Sequence, residues 1–115
     1  MLYIQIGDTT LTAEPAETEA AEALLELLES GPVTIRVENY GGFEKVGQLP
    51  QAFPRNDTRI TTRPGDIMLY QGDSIVLFYG SNTWSYTRLG RILETSDTDL
   101  AAVLGGSETE ITLSR

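Results

Sequence analysis

Ile67-Met68-Leu69-Tyr70-Gln71-Gly72-Asp73-Ser74-Ile75-Val76-Leu77-Phe78-Tyr79 is the stretch whose reading decides the fold. Two short apolar runs, Ile67 to Tyr70 and Ile75 to Tyr79, flank a polar tetrapeptide. Successive strand side chains point to opposite faces, so an unbroken apolar run predicts strands covered on both sides. Gln71-Gly72-Asp73-Ser74 supplies the turn of a hairpin, although Gly-Asp is a weaker turn signal than Asp-Gly. Downstream, Thr83 to Ile92 reads as another strand. Asp97 to Leu104 reads as a short helix ended by Gly105-Gly106, and Glu110 to Leu113 alternates as a last strand.

Upstream the signals are equally local. Leu2, Ile4 and Ile6 alternate with Tyr3 and Gln5, Gly7-Asp8 turns the chain, and Thr9 to Ala13 runs back as a second strand. Residues 18–29 are the only long helix expected. Thr18 is suited to cap it, and Ala21, Leu24, Leu25 and Leu28 fall on one stripe opposite Glu22, Glu26 and Glu29. Ser30-Gly31-Pro32 stops that helix, because glycine takes the left-handed turn and proline cannot continue the ladder. The two-residue period returns with Val33, Ile35 and Val37. Residues 39–66 are poor in regular signals, yet Tyr40, Phe43, Val46, Leu49 and Phe53 give them too much apolar content for disorder. One domain over residues 1–115 is predicted: a small, mainly β barrel of short strands with one capping α-helix.

Composition removes whole classes of chemistry. The chain has 115 residues, no cysteine and no histidine. Disulfides, thiolate nucleophiles, thiolate metal sites and histidine-based triads are therefore excluded, and no metal or other cofactor is expected. The formal charge is −9, unevenly placed: −7 over residues 1–35, +2 over residues 36–92 and −4 over residues 93–115. Such a field repels phosphate, so nucleic acid is not an expected partner. No apolar run reaches the ~20 residues of a membrane helix and no basic segment precedes a hydrophobic one, so no membrane partner and a cytoplasmic location are expected. Oligomeric state is not legible.

Two segments carry residues suited to a site. In Tyr40-Gly41-Gly42-Phe43-Glu44-Lys45-Val46-Gly47, paired glycines permit close backbone approach and the aromatics offer stacking surface. The same residues equally suit a tight loop plugging the barrel end, and the phosphate-binding lysine and hydroxyl of a P-loop are absent. In Tyr79-Gly80-Ser81-Asn82-Thr83-Trp84-Ser85-Tyr86-Thr87-Arg88-Leu89-Gly90, aromatics, an arginine and amide or hydroxyl groups resemble a pocket wall. Trp84 equally suits core packing, and Arg88 could simply pair with Glu44 or Glu94. Asp57, Asp66 and Asp73 are candidates for carboxylate chemistry, each at a turn position where aspartate is ordinary.

These segments, with Leu49-Pro50, Ile60-Thr61-Thr62, Pro64-Gly65-Asp66-Ile67, Leu69-Tyr70-Gln71-Gly72-Asp73 and the helix ending Ala23-Leu24-Leu25-Glu26-Leu27-Leu28, resemble the bacterial cyclophilin-like fold family over nearly the whole chain. The resemblance implies a closed antiparallel β-barrel, and the expected fold is then a mainly β, closed antiparallel cyclophilin-like β-barrel of about eight strands with one capping α-helix. True cyclophilins are peptidyl-prolyl isomerases that use an arginine three residues before a Pro-Gly. The matching position here is Thr61, flanked by Arg59 and Arg63, so no catalytic arginine carries over. The leading functional reading is a barrel that binds a small molecule or short peptide in an aromatic-rich pocket. Its expected contacts are Tyr40, Phe43, Glu44, Tyr79, Asn82, Trp84, Tyr86 and Arg88. A weak prolyl isomerase using Arg59 or Arg63, and a non-catalytic protein-interaction domain, are the alternatives.

Overall fold

A computed structural model of the chain describes residues 1–94 and 99–115. The described elements are β1 (Leu2–Ile6), β2 (Thr9–Pro15), α1 (Glu19–Leu28), β3 (Val33–Tyr40), β4 (Glu44–Gln48), β5 (Thr58–Thr61), β6 (Asp66–Tyr70), β7 (Ser74–Phe78), β8 (Thr83–Ile92), α2 (Leu100–Leu104) and β9 (Glu110–Ser114). Neighbours run β2-β1-β9-β3-β4-β7-β6-β8, and pairing of β8 with β2 closes the ring into an eight-stranded antiparallel barrel. β5 is an extra strand outside it, paired with the first half of β8. The short α2 falls within the short helix expected over Asp97 to Leu104; the expected start at Asp97 lies outside the described residues.

Strand alternation builds the interior. Leu2, Ile4 and Ile6 of β1 are buried while Tyr3 and Gln5 face out. Ile67 and Leu69 of β6 and Ile75 and Leu77 of β7 join the same core. Met68, Val76 and Phe78, the alternate residues, point to the outer face and pack there with Ile60 and Tyr86. The apolar run that predicted two-sided burial is thus covered on both sides.

α1 is pinned at both ends. The Thr18 hydroxyl accepts a hydrogen bond from the Ala21 N–H and donates one to the Arg88 carbonyl of β8. That tie helps fix the rotation of the helix: Ala20, Leu24 and Leu28 enter the core, with Ala23 and Leu27 partly buried against it. Leu25, expected inside, is half-buried and lies outside the core cluster. The last turn of α1 holds no basic residue. Arg115 supplies the cation there, donating to the Leu25 carbonyl and to Glu29.

β4 and β5 lie in the stretch expected to be irregular. β4 is pattern-poor because two of its core-facing positions are Lys45 and Gly47. A Cβ on Gly47 would lie 2.6 Å from the Arg36 carbonyl oxygen, so the close pairing with β3 excludes a side chain there. The strand exists because β3 and β7 hydrogen-bond it on both edges. At the β6–β7 turn, Gln71 and Gly72 both take positive φ, 53° and 79°, as the twist of a tight hairpin demands.

Candidate functional site

An open cleft of about 1310 Å³ lies on the outer face of the barrel, lined from β3, β4, Tyr70, Ser74 and the residues leading into and along β8. Six of the expected contacts converge on it: Tyr40, Phe43, Glu44, Asn82, Trp84 and Tyr86. The two segments meet through the backbone, since the N–H groups of Tyr79 and Gly80 both donate to the Phe43 carbonyl, at 3.0 and 2.9 Å. Gly80 makes this approach possible: a Cβ there would lie 2.8 Å from Phe43 Cβ. Gly41 and Gly42, at φ 64° and 72°, form the turn that brings Phe43 back under Tyr40. Their rings meet edge to face with centroids 6.2 Å apart.

Trp84 and Tyr40 stand at the cleft 53% and 66% exposed. Tyr86 forms part of the floor, edge-on to Phe78 at 5.5 Å and beside Tyr70 at 6.2 Å. Its hydroxyl accepts a hydrogen bond from the Asn82 side-chain amide at 2.9 Å. Asn82 is itself held by the fully buried Thr62, whose hydroxyl donates to the Asn82 carbonyl and accepts from the Asn82 N–H. The polar wall is therefore positioned by the chain that follows β5.

Glu44 is the unusual member. Its place opposite Phe78 in the β4–β7 ladder puts it on the outer face, where it is only 6% exposed. Among the described residues no side chain or backbone group hydrogen-bonds or ion-pairs with its carboxylate, whose oxygens keep contact with the open cleft, since no fully buried side-chain oxygen is left without a partner. Burial raises its pKa from 4.5 to about 7. The phenols of Tyr79 and Tyr86 are raised as well, chiefly by burial, with the charge of Glu44 acting in the same direction.

Tyr79 and Arg88 do not line the cleft. Tyr79 packs against the core and donates its hydroxyl to Asn39. Arg88 is exposed on β8, opposite Met68 in the ladder, and among the described residues it pairs with neither Glu44 nor Glu94. Glu94 instead accepts from the Thr12 N–H. Arg59 and Arg63 are exposed and also lie away from the cleft lining. The candidate aspartates have structural partners: Asp66 holds Arg91 and the Arg63 N–H, and Asp57 holds Arg55 and the Thr87 hydroxyl. Burial opposes ionisation of Asp57, but these two partners outweigh it and keep its pKa below the ordinary value. Asp73 accepts from its neighbour Ser74. Lys45 turns away from Glu44 into the barrel side, where Nζ donates to the carbonyls of Gly106 and Glu108. Burial lowers the pKa of this lysine, and the charge of Glu108 opposes that shift.

Sequence reasoning missed Val46, Tyr70 and the β3 side chains Arg36 and Glu38 as lining residues. For Tyr70 a signal existed, because it continues the outward-facing series begun by Met68. For β3 none did: an exposed polar position on a strand looks the same whether or not a cleft opens beside it.

No curated protein matches the chain significantly. A family model described as the cyclophilin-like family matches residues 4–114. The match spans the whole barrel, from β1 to β9, and the chain belongs to the cyclophilin-like family.

Proposed function

We propose that the protein is a binding module whose outer-face cleft takes up a small molecule or a short peptide. The observation that carries this reading is the pair of exposed aromatics, Trp84 and Tyr40, on a cleft also lined by the buried Tyr86 and the half-buried Phe43, Val46 and Tyr70. Exposed aromatic surface around a concavity is costly to leave in water and is regained when a ligand covers it. Polar groups at fixed positions, Asn82 and the Tyr86 hydroxyl, would orient what binds.

The test is a small-molecule and short-peptide screen read by melting temperature, followed by Trp84 fluorescence. Trp84 is the single tryptophan of the chain, so its emission reports on this cleft alone. Ligands that bind the native state raise the melting temperature by mass action. Hits are expected to shift Trp84 emission and to lose their stabilising effect in Trp84→Ala. Hits that stabilise both proteins equally and leave the emission unchanged would place binding elsewhere and end this reading.

A further inference from the structure

We propose that the cleft selects ligands bearing an organic cation, an ammonium or guanidinium group on an apolar stem, with Glu44 as its counter-ion and Trp84, Tyr86 and Phe43 as the aromatic wall. This inference rests on the reading of the cleft as a binding site and names the chemistry it takes.

The argument begins with an imbalance. A glutamate more than nine-tenths buried as a residue ordinarily has a cation or several N–H donors at its carboxylate; that of Glu44 meets only the open cleft, where its charge is poorly solvated. Glu44 has no such partner among the described residues, and it lines the cleft. Its acceptor capacity therefore points to something that enters from outside.

The surroundings narrow what that is. The charged groups lining the cleft are Arg36, Glu38 and Glu44, a net negative set in a chain of charge −9. Arg36 is exposed and lies opposite Glu110 in the β3–β9 ladder, so it is no fixed partner for an anion at the floor. An inorganic cation would find at most two carboxylates, Glu38 and Glu44, since no group of three His, Cys, Asp or Glu residues lies together among the described residues. An organic cation finds a carboxylate together with aromatic faces. Those faces attract positive charge through their quadrupoles and cover the methylene stem at the same time.

The groups facing Glu44 set the pH response. They are Arg36, Glu38 and Tyr40 from β3, Tyr70 from β6, Tyr79 after β7 and Tyr86 from β8. Burial raises the pKa values of Tyr79 and Tyr86, so these two phenols are neutral at pH 6–8. Glu44 is then the group that titrates there, and a bound cation favours its ionised form.

The test compares N-acetyl-lysine N-methylamide with N-acetyl-norleucine N-methylamide, which keeps the stem and lacks the ammonium, by Trp84 fluorescence at pH 8. The lysine probe is expected to bind about tenfold or more tightly than the norleucine probe, and Glu44→Gln should remove that advantage so that the two probes bind alike. Butylammonium chloride separates sources: equal affinity with the blocked lysine assigns a free amine, weaker affinity a peptide side chain. A carboxyl ¹³C titration of Glu44 gives an independent readout in the unmodified protein, with the midpoint moving to lower pH when the lysine probe is bound. Equal binding of the lysine and norleucine probes, or a lysine advantage that persists in Glu44→Gln, overturns the cation inference and leaves the binding-module reading standing. No response to either amine, with screening hits that do shift Trp84, overturns it in the same way. If no ligand of any kind shifts Trp84, both readings fall.

Discussion

At the residue scale, Glu44 and Gly80 show how single positions trade stability for a cleft. The pKa of Glu44 rises from 4.5 to about 7 on folding, so the native state holds this proton more tightly than the unfolded chain. The sign follows from linkage. Below pH 4.5 the group is neutral in both states and burial costs no charge. As pH rises through about 7 the native carboxyl must ionise while buried, and stability is lost. Glu44→Gln should therefore be more stable than the unmodified protein at pH 8, by about 1–3 kcal/mol, and nearly equal to it at pH 4. Melting curves of both proteins across that range check this, and a gap independent of pH would contradict it. Gly80 makes room for Phe43, whose Cα and Cβ would lie 3.1 and 2.8 Å from an added Cβ. Backbone cannot yield as a side-chain tip can. Gly80→Ala should cost ~1–3 kcal/mol and displace Phe43 from the cleft wall, seen as a changed Phe43 ring spectrum.

At the element scale, α1 illustrates packing offsetting like-charge repulsion in a sequence of good helix formers. Its Glu22 and Glu26 repel one another, and no lysine offsets them. What holds the helix is the insertion of Ala20, Leu24 and Leu28 into the barrel core, with the Thr18 cap and Arg115 at its ends. Leu28 is 3% exposed. Leu28→Ala should cost ~2–5 kcal/mol in urea unfolding, and a cost under 1 kcal/mol would mean the helix is not an integral part of the core. Thr18→Ala removes both the cap and the tie to β8. About 1 kcal/mol or more should be lost, exceeding an ordinary cap because a second hydrogen bond goes with it.

For the whole molecule the decisive feature is the seam. Among the described residues the β2–β8 ladder that closes the ring has three residue pairs, Ala13 with Ile92, Glu14 with Arg91 and Pro15 with Gly90, extended by backbone hydrogen bonds from the Ala16 N–H to the Leu89 carbonyl and from the Leu93 N–H to the Thr12 carbonyl. A Cβ on Gly90 would lie 2.6 Å from the Glu14 carbonyl oxygen, so glycine is what lets the two strands meet. Gly90→Ala should push the seam apart. Hydrogen exchange should then speed up along β2 and β8 far more than along β4 and β7, which lie away from the closure. Uniform exchange across the barrel would show that closure is not the weak point. A barrel made by non-local pairing, β1 with β9 and β3 with β9, also folds slowly by nature, on the scale of milliseconds to seconds.

Local patterns determined the elements that have them. Alternation at Leu2, Ile4 and Ile6, the two-sided runs Ile67 to Tyr70 and Ile75 to Tyr79, and the capped helix after Thr18 are dictated by neighbours in sequence, and each stands where the pattern put it. The family resemblance added the closed ring. β4 and β5 were not legible, because Lys45 and Gly47 erase the hydrophobic period and lateral pairing supplies it instead. The face a residue presents inside a cleft was legible only in part. Tyr40, Phe43, Glu44, Asn82, Trp84 and Tyr86 were grouped by composition, yet Tyr79 and Arg88, equally suited by residue type, lie outside the cleft. Residue chemistry is a property of the chain. Which side chains share one concavity depends on strand register and on a carbonyl, that of Phe43, accepting from residues 36 and 37 positions later, and only the tertiary structure fixes that.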